Sequence, residues 1–149
     1  MEVFAAIVGV TDVSIRTSSK LWKLSSAWRD APENLHRLRD DITRTHQLFA
    51  EIQQNAPAET SLEVSKESPG TRTDLKQLLG QGAAVLQQIE AIVEKLSKEE
   101  KNAKAGEPLE LGKRRKLIWI RNERKVADLR KELRGIISGV CNVLINENV

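Results

Sequence analysis

Tyrosine is absent from this 149-residue chain, which has only two Phe (Phe4, Phe49) and three Trp (Trp22, Trp28, Trp119). Strands draw on aromatic and β-branched side chains, so the shortage favours helix. Eight Gly and four Pro are too few for the closely spaced turns of a β-sandwich or barrel. A single cysteine, Cys141, excludes an intramolecular disulfide and a zinc site built from several thiolates. Its expected setting is reducing and intracellular. No stretch approaches the roughly 18 continuous apolar residues of a transmembrane helix. The opening MEVFAAIVGVTDV carries Glu2 where a secretory signal has basic residues, so it reads as a retained part of the fold. Glu2 in place of Gly excludes N-myristoylation, and the terminal NENV is no prenylation box.

What is present is apolar periodicity at spacings of three and four. Val3, Ile7, Val10, Ser14, Thr17, Leu21, Leu24 and Trp28 form one stripe, which predicts a helix over about 2–28. Phe4, Ala5, Ala6 and Val8 make its first half apolar on nearly every side, as in a helix buried deeply or destined for another apolar phase. Asp30-Ala-Pro-Glu33 reads as a stop and restart, with Asp30 as cap, Pro32 in the first turn and Glu33 reaching back. Leu35, Leu38, Ile42, Thr45, Phe49 and Ile52 predict a second helix over 33–54. The polar stretch 55–70, with Pro57 and Pro69, is expected to be a flexible loop.

Thr71-x-x-Asp74 opens a third predicted helix, 73–97, whose stripe is Leu75, Leu78, Gly82, Val85, Ile89, Ile92 and Leu96. After a charged run broken by Gly106 and Pro108, a fourth covers 111–145 and keeps Trp119, Asn122, Val126, Leu129, Leu133, Ile136, Val140 and Val143 in register. The expected fold is one all-α domain over 1–149, a four-helix bundle with long first and last helices. An antiparallel coiled-coil dimer is the alternative, since heptads alone do not fix the number of partners. Gly135-Ile-Ile-Ser-Gly139 is a small-xxx-small motif, read as a close helix approach inside the bundle, with Trp119, Leu129 and Leu133 as packing anchors.

Enzymatic chemistry fails on inventory. His36 and His46 stand ~280° apart around one helix, and no His-x-x-x-His or Cys-x-x-Cys spacing occurs. Asp40 and Asp41 are neighbours and diverge on a helix, which is wrong for a general acid/base pair. Gly80-Gln-Gly82 lacks the third Gly and the Lys-Ser/Thr of a phosphate cradle. Cys141 sits beside an apolar stripe and reads as an inert thiol. The expectation is no enzyme, no cofactor and no metal.

Charge is more informative. Between Lys113 and Arg134, ten Lys/Arg stand against three acids, a net +7 in a chain whose total is +3. The alternatives are a solvated helix face, partly paired with other helices, or a surface for anionic lipid head groups. Nucleic acid is the third and least favoured alternative, because no Tyr/Phe platform accompanies the charge and the net charge is small, and the expectation is no nucleic-acid partner. The head-group candidates are Lys113, Arg114, Arg115, Lys116, Arg121, Arg124 and Lys125; the membrane-inserting candidates are Val3, Phe4, Ile7, Val8 and Val10.

Three stretches, MEVFAAIVGVTDVSIRTSSKLWKL, DAPENLHRLRDDITRTHQLFAEI and RKLIWIRNERKVADLRKELRGIISGVCNVL, together resemble the N-terminal HeLo-like domains of fungal NLR-like (STAND) proteins. In the last stretch Trp119, Lys125, Val126, Leu129 and Leu133 are in register with the family pattern, while Gly135 and Gly139 replace its Ser or Ala. The resemblance implies a signalling or effector domain in programmed cell death (incompatibility or innate immunity). On oligomerisation such a bundle releases its first helix and permeabilises membrane, moving from cytoplasm to plasma membrane. It also implies self-association and a nucleotide-binding oligomerisation domain in the same or another chain, and hence an excised domain or a stand-alone member. The alternative is a non-lytic helical interaction module for homotypic or partner assembly. The opening apolar run covers only about 16 Å as helix against a hydrocarbon core of about 30 Å, so spanning would need several chains or local thinning.

Overall fold

The computed structural model describes residues 2–55, 69–102 and 108–147. All are helix or short turn: α1 (Glu2–Ala27), α2 (Glu33–Asn55), α3 (Pro69–Asn102) and α4 (Pro108–Glu147). The four helices form a four-helix bundle, and no strand occurs among the described residues. The expected flexible loop falls, over 56–68, outside the described residues.

The boundaries differ from those read in the sequence in informative ways. α3 begins at Pro69 rather than near Thr71 or 73, because a first-turn proline loses no intrahelical hydrogen bond and its φ already suits a helix. α4 likewise begins at Pro108 and runs 40 residues, about 60 Å, against about 39 Å for the 26 residues of α1. At the α1–α2 corner the backbone supplies the caps. Ala31 N donates to Trp28 O at 3.2 Å, and Leu35 N and His36 N donate to Pro32 O at 3.0 and 3.4 Å. Pro32 thus takes the capping position expected of Asp30, and Glu33 pairs forward with Arg37 at 3.2 Å instead of reaching back.

Cross-helix contacts fix the topology. Arg16 and Lys20 of α1 meet Glu90 and Glu94 of α3, so these neighbours run parallel. Asn34 and Asp41 of α2 meet Glu123 and Arg130 of α4, a second parallel pair. α1–α2 and α3–α4 are antiparallel hairpins, and α2 and α3 lie diagonally across the bundle. α1 therefore packs between α2 and α3, while the α2–α4 side is the loosest seam.

The stripes meet in one core containing Ile7, Val10, Leu21, Trp28, Leu35, Phe49, Ile89, Trp119, Leu133 and Val140. Leu79, Leu86 and Val93 join it, which widens the buried face of α3 beyond the stripe read in sequence. Gly82 lies where three helices converge. A Cβ there would stand 3.5 Å from Ile136 Cγ2 and 3.6 Å from Val10 Cγ2. The inward face of α1 also buries Thr11, Ser14 and Thr17. Each hydroxyl donates within its own helix, to the carbonyls of Ile7, Thr11 and Val13, all at 2.7 Å.

Candidate functional site

The first half of α4 carries the basic cluster, and its helical register sorts the cluster into three groups. Arg115 is four residues before Trp119, so the same spacing that buries Trp119 and Val126 turns Arg115 inward. It is 1% exposed, its Nε donates to Leu96 O at 3.3 Å, and its guanidinium lies 6.0 Å from the Trp28 ring centroid. Arg115 therefore ties the start of α4 to the ends of α3 and α1. This corrects its reading as a head-group ligand: a side chain in that position reaches no lipid.

Arg130 and Arg134 form the second group. Both bridge the α2–α4 seam to Asp41 Oδ2, at 2.7 and 3.3 Å. Nearer the α4 start, Asn34 Nδ2 donates to Glu123 Oε1 at 2.7 Å. Polar bridges thus link two helices that pack little apolar surface against each other. Open clefts of ≈ 430 and ≈ 210 Å³ lie along the seam. The larger is walled by Trp119, Ile120, Val126 and Ala127 with Arg124 and Arg130 beside them. Trp119 is buried, and its Nε1 has no hydrogen-bond partner among the described residues.

The third group is the exposed one: Lys113, Arg114, Lys116, Arg121, Arg124 and Lys125. Among the described residues none of these six makes an ion pair. Leu117 and Ile120 stand among them, 50% and 56% exposed. Lys113, Leu117, Ile120, Arg121 and Arg124 fall within one outward arc of the helix. The result is a mixed face, cationic with an apolar centre. Sequence periodicity missed its apolar half, because Leu117 and Ile120 flank Trp119 and look like core until the register is set by Arg115, Trp119 and Asn122.

The N-terminal candidates sit elsewhere. Ile7 and Val10 are buried in the core and Val8 is half-buried; the side chains of Val3 and Phe4 lie outside the described residues. Residues 2–10 occupy the bundle end that holds the finish of α4, whereas Lys113–Lys125 lie at the opposite end with Trp28. Ile7 and Trp28 are separated by 21 residues along α1 and the turn that follows it, about 31 Å. Of the packing candidates, Trp119, Leu129 and Leu133 are core, and Gly139 lies against Leu78, 3.2 Å from a would-be Cβ. Gly135 is a correction: it is exposed, and a Cβ there would meet nothing within 4 Å.

Among the described residues no group of three His, Cys, Asp or Glu could hold a metal ion, and no helix is long and apolar enough to cross a membrane. No protein-family model, curated protein or solved structure matches the chain.

Proposed function

We propose that this domain targets anionic membrane through the exposed face of α4 and, once several copies assemble, permeabilises the membrane in a cell-death response. The observation that carries the reading is the face itself: six cations with no ion pair among the described residues, set around Leu117 and Ile120. A solvated helix face has no need of two large exposed aliphatic side chains, whereas an interfacial one does. Each cation near an anionic surface contributes roughly 1 kcal/mol, and salt weakens the attraction. The resting domain is placed in the cytoplasm, moving to the plasma membrane on activation. The nucleotide-binding oligomerisation module implied by the family resemblance remains its proposed trigger.

Geometry constrains the order of events. The α4 face and the first turns of α1 occupy opposite bundle ends, so one intact bundle cannot press both into the same flat bilayer end-on. Binding through Lys113, Arg114, Lys116, Arg121, Arg124 and Lys125 comes first. Ile7 and Val10 reach lipid only after the start of α1 leaves the core.

The test is vesicle co-sedimentation and dye release with the full chain. Binding is expected with anionic and not neutral vesicles, to fall with salt, and to be lost in Leu117→Glu/Ile120→Glu and in Arg121→Glu/Arg124→Glu. Equal binding to neutral vesicles, or indifference to both double variants, refutes membrane targeting. A second reading, the non-lytic interaction module, is favoured by the full burial of Ile7 and Val10. It prevails if the chain, artificially clustered on anionic vesicles, never releases dye.

A further inference from the structure

The solvent face of α1 carries a second surface, distinct from the α4 face. Ile15 and Trp22 are each 45% exposed and stand seven residues apart, hence on one line along the helix. Trp22 borders α2 through Thr43, while Arg16 and Lys20 border α3 through Glu90. Those contacts mark the two edges of the face. Ile15 and Trp22 lie along the α2 edge, exposed Ser19 on the midline, and exposed Asp12 and Lys23 on the α3 side.

Trp22 is held in one orientation. Its Nε1 donates to Thr43 Oγ1 at 2.9 Å, and the Arg39 guanidinium lies 4.1 Å from the ring centroid. Thr43 in turn donates to Arg39 O at 2.8 Å, completing a closed set of contacts. A large indole fixed in advance and half-exposed loses little freedom on docking, and tryptophan is enriched among the residues that dominate interfaces.

We infer that this face of α1 binds a second copy of the chain, in an antiparallel α1–α1 contact about a two-fold axis beside Ser19. The face is self-complementary in that arrangement. Positions 15 and 22 are equidistant from an axis between 18 and 19, so Ile15 of each copy meets Trp22 of the other. The same axis keeps the α3 sides together and brings Asp12 of each copy near Lys23 of the other. Among the described residues neither Asp12 nor Lys23 makes an ion pair. The small Ser19 side chain at the crossing lets the two helices approach closely. A parallel pairing instead sets Asp12 against Asp12 and Lys23 against Lys23, which repel.

One helix-wide patch is smaller than the ~800 Å² per partner of a standard stable interface, so the dimer is weak in solution and gains when copies share a surface. The contact supplies the assembly step of the proposed function, yet forms without lipid, so the two fail separately.

Sedimentation velocity of the full chain, without lipid and over a concentration series, tests it. The expected result is a monomer–dimer equilibrium weakened at least about tenfold by Ile15→Asp and about three- to tenfold by Asp12→Lys or Lys23→Asp. The double variant Asp12→Lys/Lys23→Asp restores it, because the swapped charges meet only between copies. In a Cys141→Ser background, Ser19→Cys is expected to cross-link two chains under oxidation, and exposed Gln87→Cys is not. Apart from the half-buried Cys141, these positions are solvent-facing, and the helical signal reports that each variant folds. A chain monomeric at every concentration, a double charge swap no better than the single variants, or dimerisation abolished by Leu117→Glu and untouched by Ile15→Asp overturns the proposal. Leu117→Glu should abolish vesicle binding and leave the lipid-free dimer intact.

Discussion

Gly135 and Gly139 are four residues apart on α4, and replacing each with alanine separates propensity from packing. At Gly135 the new methyl meets nothing within 4 Å. Only the backbone matters there, and glycine inside a helix costs about 1 kcal/mol relative to alanine. Gly135→Ala should stabilise the bundle by about 0.5–1 kcal/mol, raising Tm by roughly 1–4 °C at this chain length. At Gly139 the same gain is opposed. The methyl comes to 3.2 and 3.3 Å from Leu78 Cδ1 and Cδ2, so Leu78 must shift. Moving a packed side chain off its rotamer costs about 0.5–1.5 kcal/mol, leaving Gly139→Ala between about 0.5 kcal/mol more stable and about 1 kcal/mol less stable than wild type. Urea unfolding followed by circular dichroism and tryptophan fluorescence measures both. In a Leu78→Ala background the gain at 139 should reappear, a coupling of roughly 0.5–1.5 kcal/mol. The reasoning fails if Gly135→Ala destabilises, or if Gly139→Ala stabilises as much as Gly135→Ala with Leu78 intact.

The α1–α3 clasp makes stability depend on pH. The hydrogen bond from Arg16 holds the Glu90 carboxyl below its ordinary range against the opposing effect of burial, with Lys20 adding to the shift; Arg16 and Lys20 are raised in turn, chiefly by their bonds to Glu90 and Glu94 respectively. A lowered carboxyl contributes stability that is full above its unfolded value of about 4.3 and is lost as pH falls through its lower folded value. The wild-type urea midpoint should therefore drop below about pH 4, and Glu90→Gln should flatten that drop; an unchanged slope excludes the clasp as its source. Asp41→Asn leaves Arg130 and Arg134 without their shared carboxylate in a partly buried seam. It should cost about 1–3 kcal/mol in the same assay, and a neutral result would mean the bridges do not hold α2 to α4.

The helices were legible because apolar residues recur every three or four positions and breaks carry proline. The register of each stripe placed Leu35, Phe49, Ile89, Trp119 and Leu133 inside, and all are buried. Periodicity says which side of a helix faces inward, and it is blind to which neighbour lies there. The parallel pairing of α1 with α3 and the loose α2–α4 seam therefore had no sequence signal. Arg115 was readable in principle, one step back along the Trp119 stripe, but charge content outweighed register in grouping it with the exposed cations. Gly135 was misassigned because a small-xxx-small spacing marks two positions, while the bundle covers only Gly139 with a neighbouring helix.

The hydroxyls of Thr11, Ser14 and Thr17 have a consequence for α1 as a removable part. Each is buried against other helices, yet each keeps its hydrogen-bond partner inside α1. A polar group moved into apolar surroundings without a partner costs several kcal/mol, and these three escape that penalty wherever α1 goes. Their chemistry is portable. What anchors α1 by polar contact lies along its edges, in Arg16 and Lys20 towards α3 and in Ser18, Trp22 and Ser25 towards Thr43 and Arg39 of α2. The helix can exchange one set of apolar neighbours for another with its inner bonds undisturbed, and the barrier to doing so is concentrated in a handful of side chains at its rim.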